Sequence, residues 1–448
     1  LSEFGPYEHP TPLGVALNFD CRKCCAVRSF VLENVGFWLR DFRIDGLRLD
    51  AADSIFDQSE THILQEIRQT AAEIGRSQKR ITHIIAEWDL GDARFACHHC
   101  PPETGLTVQW SDDLHHSVHA LLTSERHGCY SDFGEPDKLV RTLTCNLAHD
   151  DSQYPDDGQG RSFPADQLPG SHFLASMQKH GNIGDRVRGE RFGKLLTPDQ
   201  QRLAAGVLIL SPFLPLLFMG EEYGEQNPFP YFCSFHEQSL AHVVRHRSSC
   251  DCASIDWPDN NADPLSPKTF DSACLCWNWQ PGSWQAGLRE WYRTVLRLRR
   301  ELPHFRDSVQ RTAGWYDRPG EDSKAQDGGH GRMNSRIANP LSEPRDGILE
   351  LIRGDFEDAT EYPILAYFNF SNRPQSLSGT YVDRSDSMNW QPLLRSEWPA
   401  FSGGFAVKES SVFDIDHRQL RPYEVLVLSS PFYSDLWRQR NGAPAGQV

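Results

Sequence analysis

The sequence predicts an α/β protein, a parallel sheet alternating with helices, followed by a separate antiparallel β domain. Three observations carry this reading. Segments of helical and strand period alternate from Cys25 to Glu87 at the spacing of repeated αβ units. A long amphipathic stretch from Gln285 to Leu302 closes that region, and the composition changes after Pro303. Strand-like runs then appear at 348–352, 364–370 and 425–428. The expected domains are 1–303, 304–435, and a frayed tail over 436–448.

Taken in order, Gly5-Pro6-Tyr7 and Thr11-Pro12-Leu13-Gly14 read as an irregular, turn-rich loop. From Cys25 to Phe42, Val27, Phe30, Val31, Val35, Trp38 and Leu39 recur with helical spacing. The strand Ile44 to Asp50 follows, with Leu47 and Leu49 on one face and a carboxylate at its end. Asp57 to Ile74 predicts a second helix with Ile63, Ile67 and Ala71 on one side, and Ile81 to Glu87 a second strand ending in a carboxylate. After a loop over 88–109, Ser111 or Asp112 is placed to cap a helix through Leu122. The Asp and His residues at its start are either capping and solvent-facing or pocket lining. Further on come a loop over 158–170, a strand over 173–178, a helix over 203–210 and a strand over 215–220 ending at Glu221-Glu222. Residues 325–332 are glycine-rich and read as flexible.

Composition narrows the function. The 448 residues carry 45 basic and 61 acidic side chains, a net charge of −16, which argues against nucleic acid as a partner and suits neutral ligands. Twelve tryptophans and twelve tyrosines supply flat apolar surfaces that sugars use, as any core does. No run approaches the roughly 20 apolar residues of a membrane span, so a cytoplasmic setting without membrane partners is expected. The twelve cysteines are scattered, as reduced thiols would be. Cys21 with Cys24 and Cys97 with Cys100 have the spacing of zinc ligands, with His98 and His99 inside the second pair. Neither lies in a compact ribbon or finger, so no metal site and no cofactor are expected.

Asp50 and Glu87 are the candidate chemistry. A strand-end Asp alone serves as readily to cap the next helix. Two carboxylates at the ends of successive parallel strands, however, lie side by side, and such a pair cleaves glycosidic bonds when one attacks carbon and the other carries a proton. Arg48, two residues before Asp50 on the same strand face, should keep Asp50 ionised. Glu87, between Ile84-Ile85-Ala86 and Trp88, is expected in apolar surroundings that hold its proton. That difference makes Asp50 the nucleophile and Glu87 the acid, then base.

These residues also carry a resemblance. Gly46-Leu47-Arg48-Leu49-Asp50-Ala51 resembles the nucleophile motif of the alpha-amylase family of glycoside hydrolases, and Ile85-Ala86-Glu87 resembles its acid/base strand. Trp110-Ser111-Asp112-Asp113-Leu114-His115-His116, Leu121-Leu122-Thr123, Phe218 to Gly224, and the early Phe4 to Tyr7 with Thr11 to Gly14 resemble one branch of it, which releases trehalose from maltooligosyl trehalose. The resemblance runs in order over residues 4 to 300 or so. It implies a (β/α)₈ TIM barrel with a C-terminal antiparallel β domain, a retaining mechanism without cofactor, and an α-1,4-glucan oligosaccharide with a trehalose end as substrate. It implies Arg48, Trp110, Asp112, Asp113 and His180 as substrate contacts.

Two departures shape the expectation. The first barrel strands of the family are expected to be missing, the chain reading as if it starts just after them. The family's third carboxylate comes from an Asn-His-Asp-Gln motif, and the matching stretch is Lys179-His180-Gly181-Asn182, with Gly181 in place of the Asp. Asp185, four residues on, is not a simple substitute. The alternatives are therefore an impaired or inactive glucan-binding fragment and, within the enzymes, a starch-branching or debranching activity.

Overall fold

The computed structural model describes residues 8–11, 14–20, 24–88, 107–149, 165–242, 244, 263–306, 308–309, 311–317, 346–354, 362–384, 389–402 and 419–441. Phe4 to Tyr7, Cys21, the Cys97–Cys100 pair with His98 and His99, the glycine-rich 325–332 and the end of the chain from 442 lie outside the described residues. The chain forms two compact units, Leu1–Asp112 with Cys145–Ala175, and Asp113–Thr144 with Ser176–Val448.

The first unit opens on a hairpin, β1 (Glu8–Thr11) against β2 (Gly14–Leu17), where the sequence suggested only an irregular loop. Helix α1 (Cys25–Gly36) continues as a π-helical turn, Phe37–Asp41, whose Phe37 and Trp38 rings cluster with Phe42 at centroid distances of 4.8 to 5.3 Å. Strand β3 (Gly46–Leu49) follows. Helix α2 (Ile63–Gln78) starts six residues later than expected from Asp57. The Asp57 carboxylate explains why: it accepts from the amides of Ser59 (3.0 Å) and Ile63 (2.6 Å), capping the helix from outside it. It also pairs with Arg28 of α1 at 2.8 Å, and Arg28 reaches Glu66 of α2 at 3.0 Å. Burial pushes Asp57 up, but the bonds from Ser59, Ile63 and Arg28 outweigh it and hold the acid below its usual range.

Strand β4 (His83–Glu87) pairs in parallel with β3 and with β5 (Thr107–Trp110), and β5 pairs with β6 (Phe173–Ser176). Leu39, Ile63, Ile67, Ala71, Ile84 and Ala86 form one buried cluster with the half-buried Leu47 and Leu49, so the helical stripes and the strand alternation meet in a common core. Strand-end residues are left at the C-terminal rim of the sheet.

In the second unit, α3 (Asp113–Thr123) and α4 (Pro136–Cys145) precede α5 (Pro198–Leu210). The last begins before Leu203, because Thr197 and Gln200 form a capping box with Pro198 in the first turn. A short strand β7 (Leu214–Leu216) and the long α6 (Trp284–Glu301) follow, and the fully buried Trp291 indole of α6 donates to the Arg202 carbonyl of α5 at 2.9 Å. A five-stranded antiparallel sheet then takes the order β12-β14-β10-β9-β8, with β8 Arg311–Asp317, β9 Gly347–Arg353, β10 Ile364–Asn369, β12 Gln391–Arg395 and β14 Val425–Ser429. A two-stranded piece pairs β11 (Gln375–Ser376) with β13 (Gln419–Leu420). The expected tail begins inside a helix, α7 (Pro431–Asn441), whose Trp437 is buried. No helix among the described residues is long and apolar enough to cross a membrane.

Glu221, beyond β7, is buried, with the Tyr292 hydroxyl 3.3 Å away. Burial pushes its carboxyl up to about 8, with the Glu222 charge adding to the push. The folded chain therefore binds this proton more tightly than the unfolded chain, where a Glu titrates near ~4.3. Stability from this group falls as pH rises between those two values and is fully lost above the folded one. Glu221→Gln is expected to raise the melting temperature relative to the unmodified chain more at pH 8 than at pH 5, as thermal unfolding at both values will show.

Candidate functional site

The register Leu49↔Ala86 makes Asp50 and Glu87 the next positions along β3 and β4, so the two carboxylates emerge side by side. Arg48 sits between them. One guanidinium nitrogen is 2.5 Å from Asp50 Oδ1 and the other 2.7 Å from Glu87 Oε1. The Asp50 side chain is 81% exposed and that of Glu87 27%, so one acid stands open and the other is set back.

Beneath the guanidinium lies Trp110, at the end of β5 and opposite Glu87 in register. Arg48 stacks over its ring at 4.8 Å, and the residue is only 8% exposed. Trp110, expected as a sugar contact, is thus placed as the floor under Arg48, with little ring surface open to a ligand.

The expectation for Glu87 needs a correction of the same origin. Its carboxylate accepts from Arg48 and from the Ala51 amide at 2.8 Å, so apolar strand neighbours do not define its surroundings. Arg48 consequently does not distinguish the two acids as the reading along one strand suggested. Sequence reasoning also missed Ala51, whose backbone is left-handed (φ 44°, ψ 44°), a conformation rare outside glycine. That twist turns the amide following Asp50 towards Glu87. An alanine there carries no signal a single sequence could reveal.

Of the other expected contacts, Asp112 is half-buried just past β5, and Asp113 begins α3 of the second unit. His180 belongs to the second unit too, exposed at the start of a short helix, His180–Gly184. The next residue, Gly181, has ordinary room at its missing Cβ, the nearest atoms being Asp185 Oδ2 at 3.7 Å and Lys179 Cε at 3.8 Å.

His115 and His119 of α3 are neither solvent-facing caps nor open pocket lining. His115 is buried, its Nδ1 2.7 Å from the Met177 carbonyl and its Nε2 3.1 Å from the Tyr130 hydroxyl, and burial pushes its pKa well down. His119, also buried, lies 2.8 Å from Glu125, which Arg186 grips through two nitrogens at 2.9 and 2.8 Å. Burial works to raise Glu125, yet the bonds from Arg186 and His119 hold it far below the carboxylate range. The network thereby fastens Met177 and Arg186, on either side of the short helix, to α3 and the segment after it.

Comparison with known proteins gives this geometry a family. The chain is 36% identical over 306 residues to the malto-oligosyltrehalose trehalohydrolase of Saccharolobus solfataricus, covering 67% of this chain and 51% of that protein. The chain is a homologue of the malto-oligosyltrehalose trehalohydrolases. A second such enzyme, from Arthrobacter ramosus, is 35% identical over 309 residues, 68% of this chain and 54% of its own. The chain therefore spans about half the length of the curated relatives it matches. In structure it is similar to a crystal structure of a Salmonella typhimurium protein assigned as an alpha amylase, with a TM-score of 0.70 and 25% identity over 95% of this chain and 64% of that one. The parallel sheet is thus part of the (β/α)₈ TIM-barrel architecture of the alpha-amylase family, followed by the C-terminal antiparallel sheet. No family model matches the chain.

Proposed function

We propose that this chain is a glycoside hydrolase of the trehalohydrolase type, working in the cytoplasm on an α-1,4-glucan oligosaccharide with a trehalose end. The observation that carries the proposal is the pair of strand-end carboxylates bracketing Arg48. Two acids gripped by one guanidinium are held close, which favours the short separation of about 5–5.5 Å that retaining enzymes use over the wider gap of inverting ones.

In this reading Glu87 takes up a proton from solvent as Arg48 and the Ala51 amide release it. Asp50, the more exposed acid, then attacks the anomeric carbon while Glu87 passes that proton to the glycosidic oxygen, and trehalose departs. Glu87, now ionised, takes a proton from water, which attacks the same carbon and frees Asp50. Two inversions leave the configuration retained, and the cycle needs nothing beyond the two acids and water. Arg48 has to exchange its grip on Asp50 for the substrate before attack, since the nucleophile is paired in the ligand-free chain. Trp110 keeps the guanidinium in place during that exchange.

The test is release of trehalose from maltotriosyl trehalose, with iodine staining and reducing-end assays on amylopectin run alongside. Trehalose from the first substrate and no change in amylopectin is the expected result. Branching or new reducing ends on amylopectin alone would move the chain to the starch-branching or debranching group. A second reading, a glucan-binding protein without turnover, is favoured by the absence of a side chain at Gly181, and calorimetric binding of maltooligosaccharides without products would establish it.

A further inference from the structure

Trp277 lies in the segment between the helix Pro267–Ala273 and α6, and it is 64% exposed. Its backbone is left-handed, with φ 52°, which is a genuine outlier for so bulky a residue. An indole that gains little from burial and sits on a strained backbone contributes poorly to folding.

The surroundings nevertheless fix it. Glu225 is buried, and its carboxylate accepts from the amides of Cys276 (2.7 Å), Gln226 and Asn227 (2.9 Å each) and from the Tyr223 hydroxyl (2.9 Å). The Asn227 side chain adds a bond to the Cys274 carbonyl at 2.7 Å. The residue before Trp277 is therefore clamped by a buried carboxylate. The Trp279 and Tyr223 rings stand 6.0 and 6.2 Å from the indole, and Arg289 braces Trp279 at 4.8 Å.

We propose that Trp277 is a stacking platform for one glucose ring of an α-1,4-glucan, a binding contact in the second unit. The apolar face of a pyranose matches an indole face, and the exposed amides of Asn278 and Gln280 beside it match sugar hydroxyls. A protein partner fits less well, because Asn278 and Gln280, beside the indole in the chain, are exposed and polar, whereas a docking face needs a wider apolar centre. The proposal rests on the reading of the chain as one that acts on α-glucans.

The test uses the full chain with Asp50→Asn, to prevent turnover, and calorimetric titration with maltoheptaose. Adding Trp277→Ala is expected to lower affinity about tenfold, the usual scale for truncating one aromatic contact. Trp277→Gly should lower affinity as much while raising the melting temperature, since glycine relieves the left-handed backbone. Unchanged affinity in both variants overturns this inference alone, and a lowered melting temperature in Trp277→Gly overturns it by showing the indole to be structural packing. Absence of maltoheptaose binding while the unmodified chain still releases trehalose from maltotriosyl trehalose overturns this inference alone, and absence of both overturns it together with the proposed function.

Discussion

Asp50→Asn is expected to abolish trehalose release, lowering kcat/KM on the order of 10⁴-fold or more, as loss of a nucleophile does in other covalent mechanisms. The fold should not notice. Asp50 is mostly exposed, and Arg48 keeps its bond to Glu87 and its place on Trp110, so thermal unfolding should stay within the ~0.5 kcal/mol typical of surface changes. This separation makes the measurement decisive: lost activity with an unchanged melting temperature locates the defect in the chemistry. Asp50→Gly with added azide sharpens it, because azide entering the vacated space attacks from the same side and yields a glycosyl azide of inverted configuration. Activity that survives Asp50→Asn would remove Asp50 from the nucleophile role.

Restoring a carboxylate at position 181 is the second large effect. Gly181→Asp is expected to raise the rate by about 10²–10³, the scale for gaining one preorganised group that stabilises charge in the transition state. Space allows the change, since a Cβ at Gly181 makes only ordinary contacts and the backbone there is not left-handed. The turn bonds Ile183 N to Lys179 O and Asp185 N to Gly181 O persist, because they use main-chain atoms. The new acid would meet the Asp185 carboxylate nearby, and like charges oppose each other's ionisation. Gly181→Asp with Asp185→Asn should therefore gain more than Gly181→Asp alone. No gain in either variant, at an unchanged melting temperature, would show that a third carboxylate at this position does not limit the reaction.

Much of this architecture was legible because local patterns and packing agree. The helix read over 285–302 forms at Trp284–Glu301, since Leu288, Trp291, Val295 and Leu298 on one face meet a real core. The strands ending at Asp50 and Glu87 were legible from alternation and a terminal carboxylate. What failed depended on contacts between distant residues. Asp57 looked like a helix start, but its carboxylate bonds forward to Ile63 and across to Arg28, which no local window contains. Arg48 looked like the partner of Asp50 alone, because its second partner is reached across the pairing of β3 with β4. The left-handed turn at Ala51 was hidden for another reason: nothing about alanine announces it.

The pairing of β5 with β6 has a dynamic consequence. Strands β3, β4 and β5 are laced by four residue pairs at each junction, whereas β5 meets β6 through Gln109↔Phe173 and Trp110↔Leu174, extended by one bond from Ser111 N to Leu174 O at 2.9 Å. The chain joining those strands leaves the first unit at Asp113 and returns to it at Cys145, so this junction closes a long loop with few bonds. Amide exchange is expected to be faster at this junction than between β3, β4 and β5. The ring under Arg48 therefore stands at a joint with fewer paired residues than the two junctions that hold the strands of Asp50 and Glu87.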